Sequence, residues 1–500
     1  MVHRLLPAHA PLPLWRREGQ RALETWLQAR SATPLMDLAG LACARLALAI
    51  APHARCIWVL AGPGNNGGDG LEAALQLHRW GLHVQVQLLA SPEALPPDAR
   101  RAWLRAREAG VPMQQGLGTV PALGPLDLCI DAVLGLGSRR VPEGVVLQAI
   151  QALRQTPAMV LAVDLPSGLD ADSGQLLSAP DGAGVRADHT LCLLAAKPGL
   201  FMGHGRDLCG QLWLDTLGLT ASWTDSPSTD LPPPDAWLNT SPAPQVRRHA
   251  SHKGSHGDVA VVGGEVLNTG TGMSGAAVLA AQAALRGGAG RVMLSLLGPA
   301  LNQGIAPDLM RRDVADLPLG ELTVVAGCGG GRAIAQPLGR IVQHSARLVL
   351  DADGLNRLAE DPWLQDLLRQ RSQRLLPTVL TPHPLEAARL LGSSTAQVQA
   401  NRLQAAQALA TRYACVVVLK GSGTVLAAPG QTPRINPTGN GRLATGGTGD
   451  VLAGLLGARL AAQGEAWHAA CDAVWTHGQA ADDWPTGPAL TASALAERLR

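Results

Sequence analysis

One short stretch of the chain, ATGGTGDVLAG at residues 444–454, has residue types that could carry out phosphoryl chemistry. Three glycines surround a threonine, Asp450 follows, and an apolar helical pattern begins at once. Because glycine leaves the N–H groups of a first helical turn uncovered, these groups and the helix dipole predict an anion hole. Asp450 would stand beside a phosphoryl group bound there and could accept a proton as general base. The alternative is a first-turn carboxylate that stabilises the helix dipole by about 0.3–1 kcal/mol.

Two further stretches of this C-terminal half end a predicted strand in polar residues. CVVVLKGSGT at 415–424 places Lys420 before a glycine turn, and Gly421 and Gly423 would let the backbone approach a nucleotide closely. The alternative for Lys420 is an ordinary solvated lysine. TVLTPHP at 378–384 holds His383 between two prolines, so His383 is either a substrate contact or a structural histidine.

The N-terminal half carries polar residues at three predicted strand ends. AGPGNNGGDG at 61–70 follows an apolar run, and the segments CIDAVLGLGSRR and AVDLPSG surround Asp131 and Asp164. Ligands gather at the carboxyl ends of strands in open α/β sheets, so Asn66, Asp69, Asp131, Asp164 and Ser167 are predicted to form one site. The alternatives are a glycine turn needed only for packing and a simple turn aspartate at position 164.

Two α/β domains must position these residues. On both sides of residues 221–244, which are rich in Pro, Ser and Thr, the pattern is strand, glycine turn and helix in repetition. The proline-rich stretch itself resists helix and sheet and is typical of a semi-rigid connector. We predict a first domain at 10–222, a linker at 223–231 and a second domain at 232–500.

Composition excludes several classes of function. The formal net charge of +2, the 46% hydrophobic residues and the 16% charged residues indicate a globular chain without the electrostatic footprint of a nucleic-acid or membrane-surface protein. No apolar run is long and uncharged enough to span a bilayer. The eight cysteines are scattered without a Cys-x-x-Cys pair, which argues against structural zinc and a disulfide framework. We expect a cytoplasmic protein.

The motifs together resemble a known pair of enzymes. HKG (252–254), VVGG (261–264), AALRGGAG (283–290), TPHP (381–384), LKGSGT (419–424) and GTGDVLAG (447–454) are similar to the ribokinase-like ADP-dependent NAD(P)H-hydrate dehydratases. LMDLAG (35–40), GPGNNGGDG, the Asp131 segment and DLPSG (164–168) resemble the NAD(P)H-hydrate epimerases. This resemblance implies a Rossmann-like three-layer α/β domain followed by a ribokinase-like α/β domain, as in the bifunctional repair enzymes.

The resemblance also implies substrates and cofactors. NADH and NADPH slowly add water across the nicotinamide ring; the epimerase interconverts the R and S hydrates, and the dehydratase uses ADP to remove water from the S form, yielding NAD(P)H, AMP and phosphate. The implied cofactors are K⁺ in the epimerase domain and Mg²⁺ with ADP in the dehydratase domain. The implied partners are NAD(P)HX and ADP, with no nucleic acid and no membrane, and we expect a homo-oligomer.

The family's functional residues fall on matching positions of this chain. Asp164 and Asp450 are the predicted catalytic residues. The predicted potassium ligands are Asn66, Asp131 and Ser167. The predicted nucleotide contacts are Lys420, Gly421, Ser422, Gly423, Thr424 and Gly449. The predicted hydrate contacts, besides the two catalytic residues, are Asn65, Asn66, Gly67, Gly68, Asp69, Gly135, Leu136, Gly137, Ser138, Arg139, Arg140, Val141, Ala276, Gly329 and His383.

Three positions depart from the family pattern. Leu385 stands where glycine is more usual, AGCGGG (326–331) replaces a more typical Gly-Pro-Gly-Leu-Gly, and Arg442 stands where the family commonly has glycine. Two other functions remain open at the level of the sequence. A small-molecule kinase of the ribokinase type would show the same anion hole, and a non-catalytic scaffold could have the same fold as the first domain. The attached epimerase-like domain argues against the kinase, and the convergent carboxylates argue against the scaffold.

Overall fold

A computed structural model describes residues 2–6, 10–177, 184–219, 231–244, 247–267, 272–298 and 305–499 of the chain. The chain divides into two compact units, Met1–Trp237 and Leu238–Arg500. Residues 232–237 belong to the first unit, where the Trp15 indole N–H donates to Pro232 O (3.1 Å) and Arg16 N–H donates to Asp235 Oδ2 (2.8 Å). The predicted linker at 223–231 lies outside the described residues except for Leu231, so its bounds stay a prediction.

The first unit is built on an eight-stranded sheet in the order β1-β9-β8-β7-β6-β3-β4-β5. All neighbours are parallel except β1 and β9. Its elements are β1 (His3–Arg4), β2 (Pro13–Leu14), α1 (Arg17–Gln28), α2 (Leu35–Ile50), β3 (Ile57–Ala61), α3 (Asn65–Arg79), β4 (Val84–Leu88), α4 (Pro97–Glu108), β5 (Met113–Gln115), β6 (Leu128–Ala132), α5 (Gly144–Gln155), β7 (Met159–Val163), β8 (His189–Leu193), α6 (Gly205–Leu208), β9 (Gln211–Asp215) and, at the division between the units, β10 (Ala236–Leu238).

Side-chain alternation along β3 explains the three layers of this unit. Val59 faces the apolar cluster that α1 to α4 form on one side of the sheet. Trp58 and Leu60 face the cluster that includes α5 on the other side. Because successive strand residues point to opposite faces, a strand covered by helices on both sides must be apolar at every position, as β3 is.

The second unit is a larger parallel sheet with an antiparallel edge, in the order β13-β12-β11-β14-β15-β16-β17-β18-β19. Its strands are β11 (Asp258–Glu265), β12 (Arg291–Leu297), β13 (Met310–Arg311), β14 (Thr323–Ala326), β15 (Arg347–Leu350), β16 (Thr378–Leu380), β17 (Val416–Leu419), β18 (Val425–Ala427) and β19 (Arg434–Ile435). Its helices are α7 (Ser274–Arg286), α8 (Ala335–His344), α9 (Asp353–Glu360), α10 (Pro362–Gln373), α11 (Pro384–Leu391), α12 (Thr395–Ala400), α13 (Arg402–Tyr413), α14 (Thr448–Gln463), α15 (Ala466–Asp482) and α16 (Ala492–Arg498).

Small residues let helices α7 and α14 approach closely in this unit. A methyl group on Gly454 would overlap the carbonyl oxygen of Ala280. The alanine-rich face of α7 therefore packs directly on α14, and both helices cover the valine-rich face of the sheet. This packing fixes the direction of α14 and hence the position of its N-terminal turn, which contains Asp450.

Two expectations from composition can be compared with the described residues. All eight cysteines are free thiols in this structure. In the described part of the chain, no helix is long and apolar enough to cross a membrane.

Candidate active sites

The first site lies where the strand order of the first unit reverses. The chain leaves β3 for β4 and β5 on one side and returns with β6 on the other side of β3. Helix α3 begins directly after β3 and carries Asn66 in its first turn, while Asp131 lies in β6. The crevice between such strands is where ligands bind in open α/β sheets.

The three predicted potassium ligands are brought together at Leu134. Ser167 donates from Oγ (2.6 Å) and from its backbone N–H (2.8 Å) to the two carboxylate oxygens of Asp131. The Asn66 amide donates to Leu134 O (3.0 Å), and the Leu134 N–H donates to Ser167 Oγ (2.8 Å). The cluster offers carboxylate, hydroxyl and carbonyl oxygens, a donor set that fits a hard cation.

Burial controls the protonation of Asp131. Its side chain is fully buried, and burial raises the pKa of the carboxyl to about 6, although hydrogen bonds from Ser167 and Val133 act in the opposite direction. A carboxylate in this environment favours either a proton or a cation beside it, because an isolated buried charge is costly.

The glycines of the loop before α3 have a packing reason. A methyl group on Gly62 would overlap Val133 O, one on Gly67 would overlap Gly62 O, and one on Gly68 would press on the Met36 side chain. The alternative that this glycine-rich turn serves tight packing therefore holds for these three positions. Their assignment as hydrate contacts, like that of the exposed Asn65, remains a prediction.

Asp164 is held by a partner that the sequence analysis missed. Its carboxylate forms an ion pair with Lys197, whose side chain is fully buried, and accepts from the Leu193 N–H (3.2 Å). Asp164 has a positive φ of 69°, a conformation that costs energy in a non-glycine residue and occurs often at functional sites. One signal could have found Lys197: the whole chain has three lysines, Lys197, Lys253 and Lys420.

The charge of Asp164 acts on two more carboxyl groups, those of Asp69 and Glu24. Burial, followed by the negative charges of Asp164 and Glu24, raises the pKa of Asp69 well above its ordinary range. Burial, followed by the charge of Asp164, also raises the pKa of Glu24. The group therefore combines the Lys197–Asp164 ion pair with two carboxyl groups of raised pKa, which is a suitable arrangement for acid–base chemistry.

The predicted hydrate loop at 135–141 is fixed by Arg17, which was not predicted as a site residue. The buried guanidinium donates to Leu136 O (2.6 Å) and Ser138 O (3.2 Å) and pairs with Asp170 (3.0 Å). A methyl group on Gly135 would lie 2.9 Å from Asn66 Cβ, so the loop begins against the predicted ion site. The remaining predicted contacts of the loop are exposed: Gly137, Arg139, Arg140 and Val141.

The second site is centred on the first turn of α14. Gly447 precedes the helix with a left-handed φ of 91°, a conformation that glycine adopts without strain. The Thr448 hydroxyl donates to Leu443 O (2.8 Å) and Thr445 O (2.9 Å), which fixes the loop before the helix. Among the described residues, no atom lies within 4 Å of the position where Gly446 would carry a side chain, so they leave the entrance of the predicted anion hole open.

Lys420 reaches this turn from the end of β17. Its ammonium donates to Asp351 Oδ1 (2.7 Å), and a methyl group on Gly449 would lie 3.5 Å from Lys420 Nζ. The predicted nucleotide residues Lys420 and Gly449 are therefore neighbours. Burial alone would lower the pKa of Lys420, but the charges of Asp351 and Glu386 raise it, so the ammonium stays charged.

Asp450 has the electrostatics of a base. Burial, followed by the charge of Asp351, raises its pKa to about 6, against the opposing effects of the Cys328 thiol and the Lys420 ammonium. The buried His477 donates from Nε2 to Thr448 O in this turn (3.0 Å), and burial lowers the pKa of His477 to about 4, so the donor is a neutral imidazole. His477 was not predicted from the sequence.

The glycine turn after Lys420 is held from behind by Arg402. The buried guanidinium donates to Leu419 O and Lys420 O (both 3.1 Å), and a methyl group on Gly421 would lie 2.8 Å from it. Gly421 is thus required by packing as well as being open to the predicted nucleotide. The turn also contains the remaining predicted nucleotide contacts, Ser422, Gly423 and Thr424, and the Thr424 hydroxyl donates to Gly421 O (3.2 Å).

His383 has a structural role. It is the N-cap of α11, where its Nδ1 accepts from the N–H groups of Leu385 (3.1 Å) and Glu386 (3.3 Å). Its side chain is nevertheless 45% exposed, which leaves room for the predicted hydrate contact. Ala276 and Gly329 lie against each other, since a methyl group on Gly329 would approach Ala276 Cβ to 2.9 Å.

Two α/β units, each with a lysine–aspartate pair at the carboxyl ends of parallel strands, define a two-domain α/β protein whose second unit contains the predicted anion hole. Comparisons with known families identify it further. A family model described as NAD(P)H-hydrate dehydratase matches residues 260–499, and a model described as YjeF-related protein N-terminus matches residues 32–199.

Whole-length relatives share this organisation. The chain is 38% identical to the bifunctional NAD(P)H-hydrate repair enzyme Nnr of Escherichia coli, over 90% of this chain and 84% of the relative. It is 37% identical to that of Coxiella burnetii (90% and 89%) and 33% identical to the enzyme of Leishmania braziliensis (96% and 90%). The chain therefore belongs to the family of bifunctional NAD(P)H-hydrate repair enzymes.

Solved structures resemble parts of the chain. An ADP/ATP-dependent NAD(P)H-hydrate dehydratase from Bacillus subtilis is 28% identical, with a TM-score of 0.40 over 51% of this chain and 91% of that one. A ribokinase-like superfamily protein from Enterococcus faecalis is 23% identical, with a TM-score of 0.42 over 51% and 89%. The strand topologies and the family models confirm the predicted fold class and the predicted bifunctional enzyme class.

Proposed function

We propose that the first unit interconverts the R and S forms of NAD(P)HX and that the second unit dehydrates the S form with ADP, giving NAD(P)H, AMP and phosphate. The observation that carries the proposal is the arrangement at α14, where Asp450 with a raised pKa stands beside the Lys420–Asp351 pair and the open turn at Gly446. Such an arrangement suits phosphoryl transfer to a hydroxyl group.

In the second unit, Asp450 accepts the proton of the ring hydroxyl while that oxygen attacks the β-phosphorus of ADP. The bond from this phosphorus to the bridging oxygen breaks, and AMP leaves. The N–H groups of the α14 turn and the Lys420 ammonium stabilise the charge on the transferred group. Phosphate then departs with its bonding electrons, pushed by the lone pair of the ring nitrogen, and a proton leaves the adjacent ring carbon.

We propose that Mg²⁺ would bind together with ADP in the second unit. It is usually held by one or two carboxylates together with substrate phosphates, and it neutralises their charge. Asp351 and Asp353 fit this requirement, because both are carboxylates whose negative charges raise the pKa of Asp450 and which therefore lie near it.

In the first unit, we assign acid–base chemistry at the hydroxyl-bearing ring carbon to Asp164, oriented by Lys197 and Leu193. K⁺ would be held by Asn66, Asp131 and Ser167 and would neutralise Asp131. Epimerisation should then be faster in KCl than in equimolar LiCl, and Asp131→Asn should abolish this difference while dehydration of pure S hydrate is retained. Equal epimerisation rates in KCl and LiCl would contradict a role for K⁺ in the first unit.

The decisive experiment mixes the protein with S-NADHX and follows the return of the dihydronicotinamide absorbance. We expect return with ADP and Mg²⁺ and none without a nucleotide. R-NADHX should give the same final absorbance after epimerisation by the first unit. No return with ADP or ATP would overturn the proposal, and accumulation of a stable phosphorylated product would indicate a small-molecule kinase.

The remaining expectations concern the state of the protein in the cell. We propose a cytoplasmic homo-oligomer, on the basis of the family resemblance and of eight cysteines that are all free. Light scattering on the purified full-length chain should give a mass that is a multiple of 51.9 kDa. A mass equal to one chain would contradict the oligomer.

A further inference from the structure

Cys328 places a thiol beside the proposed base of the second unit. It lies in AGCGGG, the segment that departs from the Gly-Pro-Gly-Leu-Gly of the family pattern, and its side chain is fully buried. Its Sγ and one carboxylate oxygen each of Asp351 and Asp450 all lie within 4.8 Å of one another. A sulfur ligand and two carboxylates thus meet at one point, and the partly exposed Asp450 leaves that point open to solvent.

The spacing suits a tetrahedral cation. Zinc binds sulfur at about 2.3 Å and carboxylate oxygen at about 2.0–2.2 Å, so its ligand atoms lie roughly 3.3–3.8 Å apart. The three atoms here lie up to 4.8 Å apart, so they need to close by at most about 1–1.5 Å to reach that spacing. Three protein ligands and one open position are also the usual coordination of an accessible zinc site.

The charges around the cluster suit a divalent cation. A thiolate and two carboxylates carry three negative charges, and the Lys420 ammonium on Asp351 Oδ1 supplies one positive charge. The three ligands and Lys420 together carry a net charge of −2, and the nearby Asp353 adds negative charge, so the surroundings favour a divalent cation such as Zn²⁺ or Cd²⁺. The thiolate selects a thiophilic cation of this kind over Mg²⁺, which prefers oxygen ligands.

We propose that Cys328, Asp351 and Asp450 form a site for a thiophilic divalent cation, Zn²⁺ being the physiological candidate, and that occupation of this site switches off the dehydratase. On binding, the thiol proton is released to solvent and the metal takes the Asp450 oxygen that would accept the substrate proton. Epimerisation is unaffected, because its residues lie in the other unit. The inhibitory part rests on the proposed function, whereas the metal site does not.

The binding experiment uses the full-length chain and Cd²⁺, whose bond to a thiolate gives a sulfur-to-metal charge-transfer band in the ultraviolet. Wild type should develop a band that saturates at one equivalent of Cd²⁺, and Zn²⁺ should remove it by competition. Cys328→Ala should lose this band. Cys415→Ala, which removes another buried cysteine of the same unit, should keep it. A band of equal size in Cys328→Ala and wild type would overturn the site.

The activity experiment compares each protein with its own metal-free rate, so that any effect of the substitution itself cancels. Saturating Zn²⁺ should reduce dehydration by wild type and Cys415→Ala by about 10²-fold or more, since a metal-bound carboxylate cannot act as base. Cys328→Ala should change less than about twofold. EDTA in slight excess over zinc, with Mg²⁺ kept in large excess over EDTA, should restore the wild-type rate. If Cd²⁺ binds through Cys328 but zinc leaves dehydration unchanged, the proposed inhibition is wrong, whereas the proposed metal site is supported. If no protein dehydrates NADHX, the proposed function fails and the charge-transfer band still decides the site.

Discussion

Both units contain a lysine–aspartate ion pair that is largely buried, but the more exposed member of the pair is the aspartate in the first unit and the lysine in the second. In the first unit Lys197 is fully enclosed and its partner Asp164 is the more exposed member, at 0% and 12% of the side chains. In the second unit Asp351 is enclosed at 2% and Lys420 is exposed at 18%. The first pair therefore presents an oriented carboxylate, and the second presents a cation next to an anion hole.

This difference separates the two candidate bases. Asp164 is the lysine's own partner, so its charge is matched before any substrate arrives. In the part of the chain that the structure describes, Asp450 forms no ion pair with a lysine, because Lys420 is bound to Asp351. The charge of Asp351 raises the pKa of Asp450. A carboxylate left in this state can take up a proton readily near neutral pH, as a base for phosphoryl transfer requires.

The largest expected effect is that of Asp450→Asn. The amide keeps the shape of the side chain and removes the base, so dehydration of S-NADHX should fall by about 10²–10⁴-fold. Stopped-time assays of dihydronicotinamide absorbance measure this loss, with epimerisation by the same preparation as control. Unchanged dehydration would leave Asp450 as a carboxylate that only stabilises the helix dipole.

Lys197→Met tests the claim that the first lysine serves the catalytic carboxylate itself. Epimerisation should fall by about 10²-fold or more, since Asp164 loses the ammonium that orients it. Removing one partner of a buried ion pair should also lower the free energy of unfolding by about 3–5 kcal/mol. Rates and denaturant unfolding of the variant measure the two effects.

The matched variant for that comparison is Lys420→Met in the second unit. It should impair dehydration and leave epimerisation near the wild-type rate. If both lysine variants lost both activities, general unfolding and not the separate roles of the pairs would explain the result.

The pH dependence of dehydration gives a smaller, graded effect. With the pKa of Asp450 at about 6, kcat/KM should fall about tenfold between pH 7 and pH 5 as the base becomes protonated. The corresponding stability has the opposite sign: a raised carboxyl pKa favours the folded state below the ordinary pKa of 3.8, and this contribution is lost as pH rises through 6. In Asp450→Asn the residual kcat/KM should not fall between pH 7 and pH 5. If the fall persisted in this variant, protonation of another group would be its cause.

The smallest expected effect is that of Arg17→Lys. A lysine cannot reach the Leu136 and Ser138 carbonyls and Asp170 together, so the hydrate loop should loosen and KM for epimerisation should rise a few-fold with kcat nearly unchanged. Steady-state epimerisation measures the split. Arg30→Lys, an exposed arginine of the same unit, is the control, and an equal rise in both variants would remove the role of Arg17.

Local pattern was enough to find the elements that carry chemistry. The apolar run before Gly62 predicted β3, and the glycine-rich stretch before Asp450 predicted the start of α14. Polar residues after parallel strands predicted that Asn66, Asp131 and Ser167 meet, because such strands all end at the same edge of the sheet. These inferences depend on spacing within a few residues and on one general rule of sheet topology, so they can be made from the sequence without knowledge of tertiary contacts.

The tertiary structure alone decided the partners. Lys197 pairs with Asp164, and Lys420 pairs with Asp351 and not with Asp450. The Cys328 thiol lies close to the carboxylates of both Asp351 and Asp450. The partners in each of these contacts are more than twenty residues apart in the sequence. Arg402 fills the space behind Gly421, so a residue that looked open to a ligand is also fixed by packing. No local periodicity encodes such contacts, since they arise where separate strands and helices converge, and their burial then sets the charges and pKa values on which the chemistry depends.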